Sequence, residues 1–417
     1  MRVEFDHRMQ ASTAAPDARR IIESCVHCGI CTSVCPTYEL LDHELDSPRG
    51  RIYLIRDMLQ GAPVTTRTRD HLDRCLTCRA CETACPSGVE YGQLIDIGRQ
   101  EIERRIPRSL SERSKRRLLR RALQSPRLLQ FALRGAWMVR ALLPAPLRKR
   151  IPLPPRASDT AVWPPGAHVR RVLSLRGCVQ GVLAPGYDLA LARILDRFGV
   201  TLVDVAGSAC CGAIDQHLGA PQAAARTMRR NIDAWWPHIE AGAEAIVLSS
   251  SACGNMVADY AHLLKDDPLY AAKAQRVGEL LRDPAELVAK LWEHASLPLS
   301  ALPPGRDKLV FHPPCTQQHG LRIKGRVELL LQRAGYQLTP LAEGHLCCGS
   351  AGTYSLLQPA VAGRLRQRKL SHLLAGRPVA IASANVGCIL YLQQESPVPV
   401  RHWLEILAER LLAGAQA

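Results

Sequence analysis

Apolar positions along this chain fall into two kinds of run, and their alternation predicts the architecture of the carboxyl-terminal half. Short, nearly continuous runs read VLSL (Val172 to Leu175), AIVLSS (Ala245 to Ser250), LVFH (Leu309 to His312) and VAIASA (Val379 to Ala384). Runs of that length and composition fit strands buried on both faces of a sheet. Between them lie helix-like stretches: Asp188 to Phe198 stops at Gly199, and a counterpart stops at Gly335. Thr201 to Val205 adds a strand, and another is expected ahead of Cys347. Strands alternating with helices predict two α/β units with parallel sheets.

Nearer the amino terminus, Ser47-Pro48-Arg49-Gly50 opens IYLIRDML, which stops at Gly61. Ser as N-cap, Pro at the first helical position and Gly after the end predict a helix. From Arg104 to about Arg140 a basic helix is expected, with Arg113, Arg120, Arg127 and Arg134 at seven-residue intervals and a break at Pro126. Seven prolines between Pro144 and Pro165 exclude regular elements and read as a stiff linker. The expected divisions are 1–103, a basic and Pro-rich linker 104–168, a first repeat 169–300 and a second repeat 301–417. The fold class is α+β multidomain.

The 417 residues, 47% hydrophobic, suffice for two or three ordinary globular cores. A membrane-spanning helix needs about 20 mostly apolar residues. The longest uncharged stretches, Leu346 to Gly363 and Pro378 to Gln394, are broken by Gly, Ser, Pro, Asn or Gln. The net charge of +16 is local: Arg104 to Arg171 holds 18 Lys or Arg against Glu112 and Asp159, and the rest sums to zero. So concentrated a charge argues against a general nucleic-acid binder. It has three readings: a solvated helix face, a dock for an acidic protein, or a contact with anionic lipid, where Leu128, Phe131, Trp137 and Leu142 would supply the apolar side.

Cysteine carries the chemistry. Eight of the sixteen stand in two copies of one string, Cys25-x2-Cys28-x2-Cys31-x3-Cys35-Pro36 and Cys75-x2-Cys78-x2-Cys81-x3-Cys85-Pro86, 50 residues apart. This is the ligand string of a protein with two [4Fe-4S] clusters, in which three thiolates wrap one cube and the fourth points to the other. The assignment is Cys25, Cys28, Cys31 and Cys85 for cluster one, and Cys75, Cys78, Cys81 and Cys35 for cluster two. Zinc is the competing reading, but it leaves the third Cys and the Pro without a use. A disulfide framework does not suit a chain of 417 residues. Residues 1 to 24 show no signal-peptide pattern, so reduced thiols and a cytoplasmic location are expected. The 40-position step from Cys35 to Cys75 favours a helical ferredoxin-type domain.

The other eight cysteines also repeat. Cys178, Cys210, Cys211 and Cys253 are echoed by Cys315, Cys347, Cys348 and Cys388, at an offset of 137 for the first three and 135 for the last. Each is expected just past the carboxyl end of a strand, where open α/β sheets bind ligands. Each quartet is therefore a possible further metal or redox site, against the alternative of thiols that merely pack. His312 and His345 lie near these cysteines and can act as acid or base, or simply hydrogen-bond within their loops. No G-x-G-x-x-G opens a helix after a strand, so no flavin or nicotinamide site is expected, and no catalytic residue is assigned.

VHCGICTSVCPTYELL, ELDSPRGRIYLI, HLDRCLTCRACETACPSGV, NIDAWWPHIEAGAEAI, HLCCGSAGTY and the doubled CCG at Cys210-Cys211-Gly212 and Cys347-Cys348-Gly349 resemble the iron-sulfur subunits of bacterial glycolate oxidase. The resemblance implies two ferredoxin-type [4Fe-4S] clusters on the eight cysteines above, followed by two cysteine-rich CCG domains. It also implies FAD-containing partner subunits that oxidise glycolate to glyoxylate, a quinone-type acceptor, and a place in the cytoplasm or at the cytoplasmic face of the inner membrane. Related repeats that end in CxxC supply five thiols; here Met256 and Tyr391 take the final Cys position, which puts disulfide-reducing chemistry in doubt. An equivalent subunit of a glycerol 3-phosphate or D-lactate dehydrogenase, or a heterodisulfide-reductase-like thiol enzyme, stands as the alternative.

Overall fold

The computed structural model describes residues 2–144, 148–149, 151–155, 162–166, 168–295 and 308–413. The Pro-rich linker lies partly outside the described residues, as does the expected division at 300/301.

Among the described residues of the first 103 there are helices and turns but no strand. Ser47 Oγ accepts the Gly50 N–H at 2.9 Å and Pro48 opens the helix Pro48–Leu59, as its sequence signature requires. Ile52, Ile55, Met58 and Leu59 on that helix bury against Ile21, Ile22, Leu72 and Leu94.

The carboxyl-terminal half holds two four-stranded parallel sheets. The first contains β1 (Arg170–Leu173), β2 (Val200–Val203), β3 (Ala245–Val247) and β4 (Leu281–Arg282) in the order β2-β1-β3-β4. β5 (Lys308–His312), β6 (Gln337–Leu338), β7 (Ala380–Ser383) and β8 (Val400–His402) repeat it as β6-β5-β7-β8. Register runs from Arg170 beside Val200 in one sheet and from Leu309 beside Ala380 in the other. The short edge strands β4 and β8 were not foreseen, and β6 has two residues. Segments this brief carry no readable alternation and form because a neighbouring strand offers partners. One core serves both repeats, with the helix Gly186–Arg197 packed on the final helix Trp403–Ala413. At the junction Ser250 Oγ donates to Asn385 Oδ1 at 2.9 Å and the Ser251 N–H to Ala384 O at 3.1 Å.

Asp188, buried in the first repeat, accepts at Oδ1 from Gln180 Nε2 at 3.0 Å and from the Ser249 hydroxyl. Burial pushes its carboxyl up to about 7. An unfolded Asp ionises near ~3.9, so between about pH 4 and 7 only the native state keeps the proton, and stability falls as pH rises through that window. A displacement of this size amounts to at most about 4 kcal/mol. Asp188→Asn is expected to unfold at a higher urea concentration than the wild type at pH 8, and to lose part of the decline between pH 5 and 8. Equal midpoints at pH 8 would contradict a neutral Asp188.

The basic stretch forms the helices Leu110–Gln124 and Pro126–Val139, divided at Pro126. Part of its charge is spent internally. Buried Arg108 clamps Asp73, Glu103 and Glu112, Arg116 pairs with Asp73 at 3.1 Å, and Arg120 pairs with Asp215. Leu129 and Leu133 bury against Val182, whereas Leu128, Phe131 and Leu142 are exposed. Trp137 is half-buried and donates its indole N–H to Pro152 O at 2.8 Å, so it does not join that exposed face.

Candidate metal centres

Both cysteine strings adopt one local backbone. Cys25 and Cys75 each follow a helix and donate their N–H to the carbonyl three residues back, of Ile22 and Leu72, at 3.2 Å. The residues flanking the second cysteine are left-handed in both: His27 and Gly29 at φ 56° and 80°, Thr77 and Arg79 at φ 54° and 59°. That conformation is uncommon outside glycine and costs most for β-branched Thr77. It turns successive thiols and N–H groups toward one centre, and the Thr77 N–H points at Cys75 Sγ at 3.4 Å. Cys35 caps the helix Pro36–Leu41, which explains the proline that follows it.

Two cavities result. One of about 440 Å³ is lined by Cys25, Cys28, Cys31 and Cys85, with Ile52 and Val89 in its wall. The other, about 360 Å³, is lined by Cys75, Cys78, Cys81 and Cys35, with Arg51, Thr77 and Tyr91. The fourth cysteine of each string thus lies with the first three of the other, and Cys81 borders both cavities.

The donor set fits iron-sulfur clusters. Burial pushes the Cys31 thiol up to about 11 and those of Cys78 and Cys81 well above the ordinary range, so the thiolates need cationic metal to exist. Polar groups are arranged around the sulfurs: Tyr91 Oη donates toward Cys75 Sγ at 3.7 Å, and Thr37 Oγ1, which donates to Asp46 O at 2.8 Å, lies 3.3 Å from Cys35 Sγ. Sequence reasoning passed over Arg51, an arginine 1% exposed that borders the second cavity. Its guanidinium donates to His71 O at 2.8 Å and Thr37 Oγ1 at 3.1 Å and pairs with buried Asp46. No local pattern marks an arginine for burial.

In the repeats, the first three cysteines follow the carboxyl ends of parallel strands and the last sits in the next helix. Cys178 follows β1, Cys210 and Cys211 follow β2, and Cys253 lies in the helix after β3; Cys315, Cys347, Cys348 and Cys388 stand likewise in the second repeat. The glycine of each CCG is left-handed, φ 92° at Gly212 and 89° at Gly349, and its N–H points back at 3.4 Å to the first sulfur of the pair. A Cβ on Gly349 would stand 2.6 Å from Ala362 O, so no side chain fits there. In the first repeat, Cys210 is held below the usual thiol range by hydrogen bonds from Cys178 and then Cys211. In the second, Cys315 and Cys347 sulfurs lie 3.9 Å apart, and Asn385 Nδ2 donates to Cys388 Sγ at 3.2 Å.

His312 does not behave as a loop hydrogen-bonding residue, and His345 leaves one ring nitrogen unused among the described residues. Neither ring nitrogen of His312, nor His345 Nε2, has a partner among the described residues. Lys369, 2% exposed, is a further residue missed in sequence. It donates to Glu343 O at 2.8 Å and Gly344 O at 3.2 Å; burial lowers its amine to about 8 against the pull of the four repeat thiols.

Tertiary packing joins the centres. Cys78 and Cys315 both pack against one cluster that holds Leu76, Cys347 and Tyr354, and a cavity of about 1070 Å³ is bounded by Cys75, Leu76, Thr77 and Arg99 on one side and by all four cysteines of the second repeat on another. Tyr354 Oη donates to Arg74 O at 3.0 Å, and Arg79 clamps Asp259 of the first repeat. At the opposite end Cys28 is exposed, flanked by Val26 and Ile30.

The 4Fe-4S dicluster domain family matches residues 21–89, and the cysteine-rich domain family matches residues 172–258 and 309–393. The chain is 46% identical over 412 residues to the glycolate oxidase iron-sulfur subunit of Escherichia coli K12, covering 99% of each. It is 29% identical over 398 residues to a Bacillus subtilis protein named "probable glycolate oxidase iron-sulfur subunit", covering 89% of this chain and 88% of that one. Lactate utilization protein A of Bacillus licheniformis is 24% identical over 242 residues, 56% of this chain and 97% of its own length.

Proposed function

The chain belongs to the family of glycolate oxidase iron-sulfur subunits, and we propose that it conducts electrons from reduced flavin on partner subunits to a quinone-type acceptor while glycolate becomes glyoxylate. The observation that carries this reading is the pair of four-thiol cavities sharing Cys81. Clusters bound there accept and release single electrons. The eight cysteines Cys25, Cys28, Cys31, Cys85 and Cys75, Cys78, Cys81, Cys35 hold them in the two sets given above. Ile52, Val89 and Leu76 exclude water, and the fixed charge of Arg51 favours the more negative, reduced state of the second centre. The exposed edge at Cys28, Val26 and Ile30 is the entry side, and the cluster against which Cys78 and Cys315 both pack leads away from it.

Substrate oxidation needs a hydride acceptor that cysteine cannot supply, so it belongs to the flavoprotein. The test is to isolate the chain anaerobically with its neighbours and add hydroxy acids. Glycolate is expected to bleach the visible iron-sulfur absorption; bleaching by D-lactate or glycerol 3-phosphate alone would replace the substrate assignment.

Among the described residues no helix is long and apolar enough to cross a membrane. The exposed Lys115, Arg117, Arg121 and Arg127, beside exposed Leu128 and Phe131, provide a peripheral contact with anionic lipid instead. At roughly 1 kcal/mol per cation near such a surface, replacing these four by Gln is expected to weaken binding to anionic liposomes at low salt at least ~10-fold. Unchanged sedimentation with liposomes would exclude the contact. Arg116 and Arg120 are left out of the set because their ion pairs hold the helix to Asp73 and Asp215.

A further inference from the structure

The two cysteine-rich repeats are not equivalent, and the difference lies at the position three residues before the first cysteine of each. The first repeat has Leu175 there and the second has His312. The His312 side chain lies at the carboxyl end of β5, is 1% exposed, and leaves both nitrogens without a hydrogen-bond partner among the described residues. Burying an imidazole with neither nitrogen satisfied is costly, and such a group calls for a missing partner. One nitrogen of His312 and the sulfurs of Cys348 and Cys388 all lie within 4.8 Å of one another.

We propose that the second repeat binds a single thiophilic divalent first-row metal ion, zinc or ferrous iron, through His312, Cys348 and Cys388. Donors on one tetrahedral ion with bonds near 2.3 Å stand a little under about 4 Å apart, so this trio needs only slight closure. A four-iron cube spreads its thiolates across its own width and suits the trio less well. Supporting contacts are in place: Asn385 Nδ2 donates to Cys388 Sγ at 3.2 Å, and Ser383 Oγ donates to the His312 carbonyl at 3.0 Å. Cys348 and Cys388 line the cavity of about 1070 Å³, so a fourth ligand reaches the ion from that side. Three protein ligands and an open position characterise reactive rather than purely structural sites. With Leu175 in place of the imidazole, the first repeat lacks this donor set.

The test is a count of zinc, iron and acid-labile sulfide in the full chain, purified anaerobically from cells supplied with both metals. Cubes contain iron and sulfide in equal number, whereas a single ion brings no sulfide. The wild type is expected to hold about one metal atom per chain beyond its sulfide, with nitrogen and sulfur neighbours in the X-ray absorption edge of that metal. His312→Leu, which installs the residue found in the first repeat, should lose that excess while iron remains matched to sulfide and the dithionite-reduced magnetic resonance is unchanged. Cys253→Ser should keep the excess. If His312→Leu does not accumulate, Cys388→Ser decides, and it too must lose the extra atom. Metal equal to sulfide in the wild type, as an empty site or a third cube would give, overturns the proposal; so does an excess that survives the His312 or Cys388 change. None of these counts depends on which hydroxy acid the complex oxidises.

Discussion

Cys78→Ser is expected to abolish electron delivery while leaving substrate oxidation on the flavoprotein intact. Cys78 borders the cavity shared with Cys35, Cys75 and Cys81 and packs, as Cys315 does, against the cluster around Leu76 and Cys347. Serine offers a harder, less acidic oxygen, so the second cluster should be lost and iron should fall by about half. Turnover with a quinone analogue should drop at least ~100-fold, whereas stopped-flow reduction of the partner flavin by glycolate proceeds at the wild-type rate. Cys31→Ser should do the same through the other cavity. Crossing makes the result sharper: Cys35→Ser should remove the magnetic resonance component lost with Cys78, and Cys85→Ser the one lost with Cys31. The opposite grouping, or full iron and normal turnover in Cys78→Ser, would sink the ligand assignment.

Gly50→Ala should be among the most destabilising single-methyl changes in the amino-terminal domain. A Cβ there would stand 2.0 Å from Glu44 O, 2.7 Å from Glu44 C and 2.9 Å from Leu45 Cα. All three are backbone atoms and cannot rotate away. The helix Pro48–Leu59 must then lift from the turn Glu44–Asp46, taking with it Arg51 at one cavity and Ile52 at the other. The cost is roughly 3 kcal/mol or more, at the upper end of overpacking effects. Loss of visible absorption during denaturant titration should shift to lower concentration. Gly135→Ala is the control: nothing lies within 4 Å of its added Cβ, and in an exposed helix it should gain up to about 1 kcal/mol. Equal midpoints for Gly50→Ala and wild type would refute the steric account.

The sequence predictions succeeded where the physics is local. Ser47 and Pro48 start a helix because the first-turn N–H groups need a nearby acceptor, and Gly50 N–H finds it three residues away. The cysteine strings could be read because their left-handed turns and short spacings set thiol directions within about ten residues. Buried parallel strands announced themselves as continuous apolar runs, and duplication was visible as a fixed offset. Edge strands β4 and β8 lacked such a signal.

Tertiary structure alone decided which side chains met across long separations. It allotted Arg116 and Arg120 to Asp73 and Asp215, which no count of charges could do. It brought Cys78 and Cys315 to one cluster and left His312 buried next to Cys348 and Cys388 with no hydrogen-bond partner among the described residues. Dihedral preference and periodicity act over a few residues and so are written in the chain. Partners far apart in sequence are fixed only when cores pack and water is excluded, because only then does an unpaired charge or imidazole cost enough to select its neighbour.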